Sequence, residues 1–287
     1  MDNKNLTRLR PRNRRSQSPR RLAVLLAGVA ALTLSATATP ATAVIGGQDA
    51  ANDQYPWNVS VRTNGHRCGG VIYNGSTVLT AAQCVDGLNP KDLSIRYGTL
   101  THASGGTDVG VKDVIMHPDY DSWAHDNDIA VLHPDTPLIK GENARSVCLP
   151  EPGSDPAEGT VATLTGWGAT RVGGTIPQRL QKVDLSIVDR ATLRSDYSGS
   201  YDIANNMIGA SYSEAGRGAA HKDEGSPLTV QNSQTGAATL LGIYSWGSGN
   251  ASPHLPAVFT NVSPYADNFI ADNIVHDDAF PHAPCGK

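Results

Sequence analysis

Cysteine is scarce in this 287-residue chain, with four residues at positions 68, 84, 148 and 285. None fall in a C-x-x-C spacing, and none of the nine histidines forms an H-x-x-x-H pair. A metal centre therefore has little support, and no cofactor is expected. The histidines are scattered, and each is expected to be a solvated surface residue. Long apolar runs are lacking too. Residues 22–34 form an uncharged apolar stretch of 13 residues, short of the roughly 20 that a membrane-spanning helix needs. Long helical periodicity is missing from the first half. Basic charge is thin outside the N-terminal arm. The chain has 23 Lys and Arg against 27 Asp and Glu. Eight of the basic residues and one acid lie within residues 1–43, so the remainder, 15 against 26, carries a net charge of −11. So acidic a chain repels phosphate backbones, which argues against a nucleic-acid partner.

The arm has a different reading. A basic stretch, the apolar run and a small-residue end at Ala41-Thr42-Ala43 describe a secretory signal peptide over residues 1–43. An uncleaved membrane anchor is the alternative, disfavoured by the length of the run. Cleavage after Ala43 leaves 244 residues with no membrane span, enough for one large all-β domain, secreted and expected to be a monomer. Four cysteines in an exported chain favour two disulfides over free thiols.

Short runs rich in Val, Ile, Tyr and Thr follow at 58–61, 70–73, 77–80, 93–97 and 109–116, with others near 181–188 and 240–246. Asn-Gly, Asn-Pro and Gly-Gly pairs punctuate the first half, as in a barrel of antiparallel strands. A Pro/Gly/Asp-rich stretch at 151–159 marks a crossover. Ser263-Pro264, then Tyr265, Phe269, Ile270 and Ile274 at helical spacing, predict a closing helix over 263–275. Residues 276–287 read as a polar tail.

Three segments carry the functional argument: Leu79-Thr80-Ala81-Ala82-Gln83-Cys84, Asp128-Ile129-Ala130-Val131-Leu132 and His221-Lys222-Asp223-Glu224-Gly225-Ser226-Pro227-Leu228. Their order and spacing resemble the T-A-A-H-C, D-I-A-L-L and G-D-S-G-G-P-L segments of the trypsin-like serine proteases. Val44-Ile45-Gly46-Gly47 resembles that family's I-V-G-G start, and Thr165-Gly166-Trp167-Gly168 its T-G-W-G. Ser245-Trp246-Gly247 resembles S-W-G of the substrate cleft, and the segment from Leu255 to Thr260 its pocket-closing P-G-V-Y-T. The resemblance covers residues 44–275. It implies two antiparallel six-stranded β-barrels, about 44–150 and 151–262, with a short C-terminal helix. It also implies a Cys68–Cys84 disulfide, and Cys148 with Cys285 is the expected second pair. An ion pair between the new α-amino group of Val44 and Asp223 is implied as well, with no separate activating cut.

At the chemical centre the sequence departs from the family. Gln83 stands in place of the base histidine and Glu224 in place of the nucleophilic serine, leaving Asp128 alone of the triad. An amide has no useful basicity near pH 7, and Glu224 has no hydroxyl. Lys222 replaces the glycine whose N–H, with that of residue 224, lines the oxyanion hole, and is expected either to turn that peptide away or to leave its N–H in place. Ala220 and Asn250 replace two bracing cysteines. Gly218 replaces trypsin's pocket-bottom aspartate, in a cleft expected to persist with Ser245, Trp246, Gly247 and Ala257 along it. The favoured reading is a non-catalytic homologue that binds an extracellular protein or peptide. One alternative is a peptidase rescued by Ser226 with His66 or His125. Another is a carboxylate-pair hydrolase using Asp128 and Glu224.

Overall fold

The computed structural model describes residues 46–170, 173–212, 217–248 and 254–282. Val44, Asn250 and Cys285 lie outside the described residues, as do residues 1–43, where a signal peptide is expected. Among the described residues no helix is long and apolar enough to cross a membrane.

Two closed antiparallel six-stranded barrels make up the fold. The first runs β2 (Asn58–Arg62), β3 (His66–Asn74), β4 (Thr77–Thr80), β7 (Ala130–Pro134), β6 (Thr107–Met116) and β5 (Ser94–Tyr97), closing back on β2. Val59, Val61, Val71, Ile72, Val78, Leu79, Ile95 and Val131 are buried in the apolar cluster inside and around it. Each such side chain contributes roughly 1.5–3 kcal/mol by leaving water. Closure leaves no free strand edge, which is how so many short strands stay soluble.

The second barrel joins β8 (Val161–Gly166), β9 (Gln181–Val188), β10 (Met207–Ser211), β13 (Ala257–Asn261), β12 (Ala238–Trp246) and β11 (Pro227–Gln231), and β11 returns to β8. The two-residue strand β1 (Gln48–Asp49) adds to the outer side of β9. In β9 Val183, Leu185 and Ile187 alternate inward while Asp184 faces solvent, the period-2 pattern of a one-sided strand. Helix α1 (Arg190–Asp196) is capped by Asp189, whose carboxylate accepts the N–H groups of Ala191 and Thr192.

Three expectations are corrected. The closing helix is broken: a 3₁₀ turn at Ser263–Tyr265 precedes α2, four residues at Phe269–Asp272. Asn268 explains the break, since its side chain bonds both Pro264 O and Phe269 N and so offers the backbone a non-helical alternative. The apolar spacing survives, because Tyr265, Phe269 and Ile270 are buried on the core regardless. The polar tail is docked, with Phe280 only 1% exposed. Nor are all histidines solvated: His66 and His102 are buried. Burial lowers the His66 ring to about 3, so it stays neutral between Ser60 and the carbonyl of Lys222.

Candidate functional site

Pairing of β4 with β7, Thr80 opposite Ala130, brings the end of one strand beside the start of the other. Gln83 therefore meets Asp128. Gln83 sits in the 3₁₀ turn Ala82–Cys84, held by a disulfide from Cys84 to Cys68 on β3. Closing that loop of 16 residues stabilises by about 3 kcal/mol in the chain-entropy picture.

Asp128 is wholly buried. Its Oδ1 accepts the backbone N–H of Gln83 at 2.9 Å, and its Oδ2 accepts the Gln83 side-chain amide and the Ser245 hydroxyl, both at 2.6 Å. Burial raises the carboxyl, and these bonds pull against it. The Gln83 amide also donates to Ser245 O at 2.8 Å. Both N–H bonds of that amide are thus spent on the interior. Gln83 copies the hydrogen bonding of an imidazole without its basicity.

The loop before β11 supplies the other half. Lys222 adopts φ +72°, the left-handed conformation that suits glycine. Its N–H donates to Glu224 Oε2 at 2.6 Å, and the backbone N–H of Glu224 itself also stabilises the carboxylate. Burial nonetheless raises the Glu224 carboxyl, opposed by these N–H groups and by His221, whose Nδ1 lies 3.4 Å from Oε1. The two donors that the resemblance assigns to an oxyanion are occupied by a side chain of the same loop. A hollow of about 320 Å³ opens beside it, lined by Arg67, Gln83, His221 and Lys222.

Asp223 is fully buried, with Oδ1 accepting Gly168 N at 2.7 Å and Oδ2 accepting Ala220 N at 3.0 Å. Burial pushes its carboxyl up to about 7. Its expected partner, Val44, lies outside the described residues. Cys148 is buried, and its N–H donates to Ala238 O.

The expected substrate pocket is nearly closed. The hollow among Gly218, Tyr244, Gly247, Leu255 and Ala257 measures about 10 Å³, room for one water. Tyr244 closes it. Its ring packs on Phe259, and its hydroxyl lies 3.3 Å from where a Cβ on Gly247 would sit. Sequence reasoning missed this residue, because a tyrosine preceding Ser245 on a strand looks like ordinary β composition. The cleft stays open one step along, where Trp246, Tyr197 and Tyr201 wall a hollow of about 430 Å³ with His125 at its edge. Ser226 is brought near the site but is entirely buried against Gly69 and Gly166, and its hydroxyl has no partner among the described residues. Among the described residues no cluster of His, Cys, Asp and Glu could hold a metal ion.

Comparison with known proteins fits this geometry. Residues 44–269 match the family described as Trypsin. "Trypsin Blo t 3" of Blomia tropicalis is 38% identical over 226 residues, 77% of this chain and 83% of that protein. "Vitellin-degrading protease" of Bombyx mori is 35% identical over 234 residues, covering 81% and 86%. Two six-stranded barrels, the disulfide under the Gln83 turn, the Asp128 strand mouth and this length of match agree: the chain belongs to the trypsin family of serine protease homologues.

Proposed function

We propose that this protein is an exported, non-catalytic member of its family that binds another extracellular protein or peptide through its cleft and the loops around it. One observation carries the reading: the Glu224 carboxylate accepts the Lys222 N–H at 2.6 Å, so a carboxylate already sits where developing negative charge must be received. Gln83 adds to it, with both amide hydrogens turned inward. The named relatives are proteases, which pulls the other way, but a shared fold does not carry a shared reaction when the reacting groups differ. The aromatic hollow at Tyr197, Tyr201 and Trp246 is a part of the cleft left open for a ligand.

The rescued-peptidase reading has less behind it, since Ser226 is sealed from solvent. In the carboxylate-pair reading Asp128 would have to give up bonds to Gln83 and Ser245. Purified mature protein should hydrolyse no peptide or ester substrate and take no label from a fluorophosphonate. Hydrolysis abolished by Ser226→Ala would overturn the proposal in favour of a peptidase, and glycoside hydrolysis abolished by Glu224→Gln would favour the carboxylate pair.

A further inference from the structure

The stretch from Val275 to His282 lies beyond the family match, which ends at residue 269. It nevertheless follows a groove on barrel one as a bound peptide would. Asn74 donates its amide to Val275 O at 2.9 Å, and Val275 N–H donates to Thr77 Oγ1 at 3.2 Å. Ser76 donates its hydroxyl to Asp277 Oδ2 at 3.0 Å. The other Asp277 oxygen accepts the N–H groups of Ala279 and Phe280, fixing a tight turn. That turn drives Phe280 into the barrel core, while its carbonyl accepts Gly75 N–H at 2.9 Å. Ser146 then donates to Pro281 O at 3.0 Å, and the His282 ring stacks on Tyr73 at 5.5 Å.

The floor of the groove is shaped for this occupant. A Cβ on Gly75 would collide with the Asp277 carboxylate and with Phe280 Cβ. Gly75 does not have positive φ, so its backbone tolerates a side chain and it is the strap that excludes one. The groove is also wider than the strap: a hollow of about 620 Å³ remains between it and Leu138, Ile139 and Lys140, with Ile139 75% exposed.

We infer that this face of barrel one is a peptide-recognition site for an Asp-x-x-Phe turn, filled in cis by the chain's own C-terminal segment. Recognition is divided between a hydroxyl and a backbone N–H for the polar ends of the turn and an apolar socket for the ring.

The test uses the full-length chain. A fluorescent peptide spanning residues 274–284 is titrated against wild type and against Phe280→Ala, with amide exchange at Gly75 read in parallel. Wild type should bind no peptide, because its groove is filled. Phe280→Ala should exchange faster at Gly75 and bind the peptide. A peptide with its own Phe280→Ala change should bind that variant at least about a hundredfold more weakly, the cost of losing one buried ring. Unchanged exchange at Gly75, equal binding by both proteins, or no binding by either would overturn the inference. Should Phe280→Ala fail to fold, Gly75→Ala serves. Exchange at Ala279 and Phe280 must then rise about tenfold, the effect of about 1.4 kcal/mol, and unchanged exchange would equally overturn it. Failure here leaves the reading of the Glu224 site untouched, because the two sites share no residue.

Discussion

Glu224 Oε2 accepts the Lys222 N–H at 2.6 Å, and in the proposed reading this bond fills from within a site that would otherwise receive an external anion. Reversing it takes more than removing the plug. Glu224→Ser alone should give no fluorophosphonate labelling, because Gln83 cannot take the hydroxyl proton. Adding Gln83→His and Lys222→Gly should produce labelling and measurable esterase activity on a small activated ester. In a serine protease of another fold, loss of either group costs on the order of a million-fold, so a gain of even a small part of that is readable. Labelling of the parent, or none in the triple variant with wild-type circular dichroism, would show that the site is organised differently.

Asp223 gives a prediction whose sign depends on cleavage. Its carboxyl stands at about 7 in the fold against 3.8 as the ordinary value, because burial disfavours the charge. A raised value in the folded state means that the contribution to stability is fully present below about pH 4 and is lost as pH rises through about 7. A chain retaining residues 1–43 has no free α-amino group at Val44. It should therefore lose stability from pH 4 to 7, and Asp223→Asn should flatten that slope. After cleavage, the proposed ion pair with Val44 reverses the effect, and Asp223→Asn should cost about 3–5 kcal/mol at pH 7. Melting curves of both forms decide it; a mature Asp223→Asn as stable as its parent would remove the pair.

Much of this was legible from residue order. Strand runs at 58–61, 77–80 and 181–188 sit where richness in β-forming residues and turn punctuation placed them. The Gln83, Asp128 and Glu224 positions were readable by motif. What they do was not, since the Glu224 rotamer and the φ of Lys222 depend on the surrounding loop. Tyr244 and Phe280 were missed for a different reason. Each is an aromatic whose destination is set by packing partners far along the chain, Phe259 for one and the Asn74-Gly75 turn for the other. His66 was misjudged because a scattered histidine carries no sign of burial.

Ser226 carries an internal cost. Its hydroxyl is buried without a partner, and an unsatisfied group of this kind costs about 1–3 kcal/mol. Ser226→Ala should therefore raise stability by about 1 kcal/mol, or about 2–4 °C in Tm for a domain of this size. A drop in Tm would mean that the hydroxyl is satisfied in solution, by water for example.

The proposed Cys148–Cys285 bond draws support from the docked strap, which carries Pro281 to Ser146, two residues from Cys148. Such a loop of more than one hundred residues would contribute roughly 4–5 kcal/mol in the chain-entropy picture. Non-reducing peptide mapping of the oxidised protein should recover one fragment joining the two. An alkylated Cys285 in the oxidised protein would remove the pairing.

Tyr244 decides whether the cleft has a pocket in reserve. Its side chain is buried among Phe259, Ala219 and Leu228, and burial raises its hydroxyl well above the ordinary value, aided by the nearby Glu224 and Asp223 carboxylates. Truncating a buried aromatic typically costs about 3–5 kcal/mol, because the surroundings collapse only in part. Tyr244→Ala should therefore lower stability by that amount and leave a cavity opening toward Gly218 and Gly247. A small planar probe such as phenol should fill it, raising the Tm of Tyr244→Ala while leaving wild type unmoved, since only the folded variant offers a site. A crystal structure of the variant with phenol bound between Gly218 and Ala257 would establish that the pocket is present and blocked. No ligand-induced shift, in a variant that loses the expected stability and keeps its fold, would show that the loops close over the space and that the pocket is gone.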